Sequence, residues 1–348
     1  MTDPLHPSGV AKSGGPPSGP PDGTPRPPIA ANQALHAQTR NDRPPSIATG
    51  PSSEVLRRLE LTITRRLDGM LQGDYRGLVP GHGSEPGETR PYAPGDDVRR
   101  IDWNVTARTQ QPHIRQSIAD RELETWIVAD FSASLAFGTA DCEKRDLALA
   151  AMAAVGFLTQ RTGNRIGAVV LEGEQAITLP ARGGRANLQA LLHRTLVAAK
   201  TDHAGPSDLA GALRRLATAT RRRGLIVVVS DFLPGDEWER PLRVLGARHE
   251  VLAVEVVDPR ELELPDVGLL ELVDPETGAI REVQTGNAET RSRYAEAAAA
   301  QRAEIASRIR SAGADHLVLR TDHDWLLDLV RFVAWRRERL QSFSRLPS

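Results

Sequence analysis

The stretch Trp126-Ile127-Val128-Ala129-Asp130-Phe131-Ser132-Ala133-Ser134 decides the fold. An unbroken apolar run with β-branched residues at its centre reads as a strand buried on both faces, the kind found in parallel sheets. The carboxylate and two hydroxyls that follow, at alternate positions, fall on the loop leaving the strand's carboxyl end. Three hard oxygen donors on one loop suit a hard divalent cation, magnesium first and manganese second. They carry one negative charge between them. A cation bound there stays partly unneutralised, keeps open positions and attracts a carboxylate from elsewhere. This pattern fits metal-dependent adhesion better than hydrolysis.

Downstream the chain alternates strands and helices. A strand at 125–129 is followed by an Ala-rich helix at 143–161, a strand at 165–171 with a hairpin partner at 175–179, and helices at 187–200 and 208–219. The run Leu225-Ile226-Val227-Val228-Val229 marks a second buried strand over 224–230, and a third spans 250–257. A helix at 237–247, an irregular β excursion at 262–283, a long Ala/Arg/Glu helix at 289–311, a short strand at 316–320 and a last helix at 325–341 complete the pattern. Continuous apolar strands alternating with helices predict an α/β fold: a doubly wound, mostly parallel sheet with helices on both faces. Such sheets bind ligands beyond the carboxyl ends of their strands, where strand order reverses.

Three regions follow from composition. Residues 1–52 hold 12 of the 25 prolines, mixed with Gly, Ser and Thr, and read as a disordered tail. Residues 53–123 form an N-terminal extension that opens with a helix running to about residue 71, and residues 124–341 form the main domain. The 348-residue chain balances 44 basic against 45 acidic side chains, which gives no drive toward nucleic acid or an anionic membrane. One cysteine, Cys142, excludes an internal disulfide or a zinc–cysteine cluster. The most apolar stretch, 147–158, is far short of the roughly 20 residues of a spanning helix, and no secretory signal opens the chain. A cytoplasmic protein with no membrane span is expected.

Polar residues at the predicted carboxyl ends define a candidate site: Asp130, Ser132 and Ser134 after the first strand, Ser207 before the 208–219 helix, and Asp231 after the second buried strand. Asp130 would supply the fixed charge, the three serines direct hydroxyl ligands, and Asp231 a hold on metal-bound water. Asp and Ser at such turns also cap helices, so a loop of this kind can exist without a cation.

These residues, together with Ser207-Asp208-Leu209 and Val229-Ser230-Asp231, resemble the von Willebrand factor A fold with its metal-ion-dependent adhesion site. The segment before them is more telling. Gly83-Ser84-Glu85, Arg90-Pro91-Tyr92, Pro94-Gly95-Asp96-Asp97, Arg100-Ile101-Asp102-Trp103 and Ala107-Arg108 resemble the signature of the bacterial family called domain of unknown function 58, over roughly 71–258. Two positions depart from these patterns: Pro86 replaces the family's usual aromatic after Glu85, and Ser207 stands where von Willebrand factor A sites usually have threonine. The resemblance implies a von Willebrand factor A-like domain with an N-terminal extension, no catalytic activity, and a link to a MoxR-type AAA+ ATPase and an unknown client protein in chaperone-like maturation or metal insertion.

Within the signature, arginines interspersed with carboxylates form a self-satisfied ion network over a packed Trp103, a partner-docking face made by Tyr92, Asp96, Asp97, Arg100, Asp102 and Trp103, or both at once. Two other functions compete with adhesion. One is a structural scaffold with a vacant site. The other is a metal-dependent nuclease using Asp130, Asp231 and Asp258, which the neutral charge and hydroxyl-rich loop disfavour. Thr321-Asp322-His323-Asp324 looks like a metal tetrad, but consecutive turn residues rarely converge, and helix capping by Thr321 or Asp324 is the expectation.

Overall fold

The computed structural model describes residues 44, 46, 51–71, 89–93, 98, 101–115, 124–173, 175–201, 207–233, 235–275 and 278–343. Nearly all of the predicted tail lies outside the described residues, as do Asp96, Asp97 and Arg100.

A six-stranded sheet organises the chain. Its strands are β3 (Glu124–Asp130), β4 (Arg165–Glu172), β5 (Gln175–Arg182), β6 (Leu225–Ser230), β7 (Glu250–Val257) and β10 (Asp315–Arg320), in the order β10-β7-β6-β3-β4-β5. All pairs are parallel except β4 with the edge strand β5. Successive side chains point to opposite faces, and each face has its own core. Ile127, Ala129, Leu225, Val227 and Val229 meet α1 (Ser52–Leu71), α3 (Lys144–Arg161), α4 (Arg185–Lys200) and α8 (Trp325–Phe343). Trp126, Val128, Ile226 and Val228 meet α5 (Leu209–Ala219), α6 (Glu239–Gly246) and α7 (Ala288–Ser311). The expected doubly wound α/β architecture is therefore observed.

Helix α3 is buried on nearly all sides, because its alanines let it lie close to the sheet. The stretch that came nearest to a membrane segment is thus a core helix, and no described helix is long and apolar enough to cross a membrane. Glu143 caps it in a capping box with Asp146. Trp126 needs equal closeness from β4: a Cβ on Gly167 would lie 2.9 Å from its ring.

The first helix of the extension joins the main core. Val55, Leu59, Ile63 and Leu67, spaced four apart on α1, enter the same core as α3, α4 and α8. Arg66 clamps Asp324 with two hydrogen bonds of 3.0 and 2.6 Å. Asp324 also accepts from the Leu327 N–H at 3.1 Å, so it caps α8 as expected of that turn. The 262–283 excursion contains a small antiparallel hairpin of its own, β8 (Leu269–Val273) with β9 (Ile280–Gln284). In the signature segment, β1 (Thr89–Pro91) pairs with β2 (His113–Arg115), and α2 (Trp103–Thr109) lies between them in sequence.

Candidate functional site

The chain leaves β3 through α3 toward β4 and β5 on one side, then returns through α5 to β6 on the other. The gap above the carboxyl ends of β3 and β6 is the switch point of the sheet. Ala129 pairs with Val229 in register, so Asp130 and the Ser230-Asp231 pair leave the sheet side by side.

Asp130 is wholly buried. One carboxylate oxygen accepts the Ser132 N–H at 3.0 Å; the other accepts the hydroxyls of Ser230 at 2.8 Å and Ser207 at 3.1 Å. The Oγ atoms of Ser132 and Ser134 lie 3.1 Å apart, and the Ser134 hydroxyl is among the groups that hold the Asp231 carboxyl low. All five residues singled out from sequence therefore meet in one cluster. Ser207 is held by its neighbour: Asp208 caps α5 by accepting the Gly211 N–H at 2.7 Å. Only glycine leaves room for this seat, since a Cβ at 211 would fall 1.8 Å from the Asp208 carboxylate.

The second carboxylate has a partner that sequence reasoning missed. Lys144 Nζ, fully buried, donates to Asp231 at 2.8 Å and to Glu261 at 2.6 Å. Arg302 donates to Glu261 at 3.2 Å, to Glu255 at 2.8 Å and to the Asp231 carbonyl at 3.2 Å. His316 lies 2.7 Å from the other Glu255 oxygen. Burial and the nearby Asp231 charge push the Asp130 carboxyl up to about 6, although hydrogen bonds from Ser230 and Ser132 pull the other way. Burial acts on Asp231 in the same sense, yet the Lys144 ammonium holds it below the ordinary carboxylate range. Burial likewise opposes the charge on Lys144, and Asp231 and Glu261 together outweigh it, so the amine is an ammonium.

Phe232, directly after Asp231, adopts a left-handed φ of 55°. That conformation is strained for a bulky residue, and strain of this kind gathers at functional sites. Its ring is held edge-on to Trp238, with centroids 5.1 Å apart.

Asp130, Ser132, Ser134 and Ser207 form an all-oxygen donor set of the kind hard cations take. The surrounding cluster sets four carboxylates (Asp130, Asp231, Glu255, Glu261) against two fixed cations (Lys144, Arg302), a deficit that a divalent ion would offset. The donor chemistry therefore fits such an ion. The side chain of Asp258, the third carboxylate of the nuclease reading, is held by other groups, while the Asp258 N–H donates to Glu261 at 3.1 Å. The carboxylate accepts from the Thr139 N–H and hydroxyl, the Thr321 hydroxyl and the Arg260 N–H, all at 2.6–2.9 Å.

The family described as "Protein of unknown function DUF58" matches residues 88–304. This chain belongs to the DUF58 family. The uncharacterized proteins Mb1516 of Mycobacterium bovis and Rv1480 of Mycobacterium tuberculosis are each 56% identical to it over 300 residues, covering 84% of this chain and 94% of theirs. Among solved structures, BatB of Bacteroides thetaiotaomicron is 13% identical with a TM-score of 0.41, covering 62% of this chain and 99% of its own. The SpRpn10 VWA domain is 12% identical with a TM-score of 0.34, covering 60% and 93%. The DUF58 chain has the layered arrangement expected of it, a mostly parallel sheet covered by helices on both faces.

The signature segment of this DUF58 protein is only partly as expected. Asp102 is buried and caps α2, accepting from the Asn104 and Val105 N–H groups. Its short carboxylate reaches those otherwise unpaired amides, the usual work of such a cap. Trp103 is not packed beneath an ion network but stands 71% exposed, while Tyr92 is half-buried. The missed residues of the site did leave traces in the sequence. Lys144 is a cation at the amino end of a helix, against the helix dipole. Glu255 is a lone charge in the apolar run Val251–Val257. Arg302 follows the buried Tyr294 and Ala298 at four-residue spacing, on the apolar stripe of α7.

Proposed function

We propose that this DUF58 protein is a non-catalytic interaction module that engages a partner through a divalent cation at the carboxyl edge of its sheet, a metal-ion-dependent adhesion site. In this reading Asp130, Ser132, Ser134 and Ser207 hold magnesium or manganese. The bound cation supplies affinity for a carboxylate of the partner. Asp130 contributes the fixed charge, the serines contribute neutral oxygens, and Asp231, tied to Lys144, stays outside the direct ligand set. The partner we assign is a MoxR-type AAA+ ATPase, with an unknown client, in chaperone-like maturation or metal insertion. That assignment rests on the family resemblance. Exposed Trp103 is suited to anchor the same or a second partner surface, because a large aromatic loses little rotamer entropy on docking.

The observation that carries the reading is the meeting of Asp130, Ser132, Ser134, Ser207 and Asp231, drawn from three separate parts of the chain, in one buried cluster. Calorimetric titration with magnesium and manganese tests it. Heat of binding is expected from the wild-type chain and none from Asp130→Ala. A co-expressed MoxR-type ATPase should be retained by the wild-type chain and released by chelator. Silence in the titration together with chelator-resistant retention would overturn the metal reading. One observation favours the scaffold alternative: Asp130 already accepts three hydrogen bonds and Asp231 already pairs with Lys144. The same titration separates the two.

A further inference from the structure

We propose that Lys144 sets the charge of this site: its ammonium occupies the Asp231 carboxylate, keeps it from ligating the cation, and leaves Asp130 as the cation's one anionic ligand. This rests on the metal reading above and assigns a positioning role to a residue in α3.

The first argument is cost. A cation at the amino end of an 18-residue helix works against the helix dipole. Removing an ammonium wholly from water costs several kcal/mol before any pairing. An uncharged residue would escape both penalties, so the charge itself is what the position supplies.

The second argument is rigidity. Lys144 Nζ has acceptors on two sides, Asp231 at 2.8 Å and Glu261 at 2.6 Å. Both acceptors are themselves pinned. The other Asp231 oxygen takes the Leu233 N–H at 3.2 Å. The other Glu261 oxygen takes the Asp258 N–H at 3.1 Å and Arg302 at 3.2 Å. The ammonium cannot swing away without breaking a network that reaches α7. It is a fixture of the site, not a visitor.

The consequence concerns selectivity. With Asp231 neutralised, a divalent ion held by one carboxylate and three hydroxyls keeps unspent positive charge for an incoming carboxylate. Without the ammonium, Asp231 becomes a second anionic ligand. The ion then binds more tightly, and its attraction for a partner's acid falls. A residue that merely filled space would produce no such gain.

The test is calorimetric titration of manganese into the full chain as wild type, Lys144→Met and the double variant Lys144→Met/Asp231→Asn, with melting curves for each. Manganese is expected to bind Lys144→Met about tenfold more tightly or better, the scale on which groups around a metal tune affinity. In the double variant, where a neutral pair has been removed together, affinity should return to within about threefold of wild type. Equal or weaker binding by Lys144→Met, beside measurable wild-type binding, overturns the role of Lys144 and leaves the metal reading standing. Binding by none of the three overturns both. Should Lys144→Met fail to melt cooperatively, the double variant decides alone, since it leaves Glu261 paired with Arg302 and strands no charge. A loss there of about tenfold or more would mean that Asp231 is a direct ligand and that the proposal is wrong.

Discussion

Asp130 and Asp231 are two buried carboxylates with opposite fates. Lys144 neutralises Asp231, whereas Asp130 has hydrogen bonds and no ion pair among the described residues. The folded-state carboxyl of Asp130 therefore sits at about 6, above its ordinary 3.8. A raised folded value means that the native state prefers the proton. The stability this confers is full below about pH 4 and lost as pH rises through about 6, amounting to roughly 3 kcal/mol at most. In chelator, Asp130→Asn should lack that loss. Urea denaturation should find the variant more stable than wild type by about 1–3 kcal/mol near pH 7.5, and no more stable near pH 4. Magnesium should reverse the order near pH 7.5, because only the carboxylate binds it well. Parallel pH profiles for the two proteins would contradict this account of Asp130.

At the scale of the element, α1 shows how an extension becomes core. Ile63 and Leu67 are completely buried against α3, α4 and α8. Ile63→Ala removes most of a buried side chain and leaves a cavity, at an expected cost of about 2–5 kcal/mol in chemical denaturation. The Arg66–Asp324 clamp on the same helix is only part-buried. Burial pushes the Asp324 carboxyl up, but the hydrogen bonds from Arg66 and the Leu327 N–H outweigh it and hold the carboxyl low. Its contribution is present above the ordinary carboxylate range and lost as pH falls through the depressed value. Solvent screens the pair, so Arg66→Ala should cost no more than about 1 kcal/mol near neutral pH, less still in acid. A larger effect from Arg66→Ala than from Ile63→Ala would show that the ion pair, and not the apolar stripe, seats α1.

Across the whole molecule, the charged network ties the site to both faces of the sheet. Lys144 comes from α3 on one face and Arg302 from α7 on the other, and they meet through Glu261 and Asp231 at the sheet's edge. Breaking such a network on one side strands buried charge. Arg302→Met is therefore expected to destabilise the protein by about 3 kcal/mol or more, whereas Arg243→Ala, which breaks an exposed pair with Glu239, should cost less than about 1 kcal/mol. Paired urea melts of the two variants check this. Similar small losses would mean that the network is loosely held and transmits nothing between the layers.

How much of this was legible follows from which forces leave a periodic trace. Unbroken apolar strands and four-residue helical spacing express burial directly, so β3, β6, β7 and the helices that cover them could be read from sequence. The alternation of Trp126 and Val128 with Ile127 and Ala129 even divides the two cores. The Asp-x-Ser-x-Ser loop was readable because its donors are neighbours in the chain. Lys144 lies 87 residues from Asp231 and 117 from Glu261, and no spacing rule joins them. Which face α1 covers was equally silent, since an apolar stripe states that a helix must be buried and not against what. The sequence by itself determined the layers, the sheet's parallel character and the hydroxyl-rich loop. Only the tertiary structure decided which charges meet, because strand order brings distant carboxylates together, and buried charge is tolerated only where folding supplies its partner.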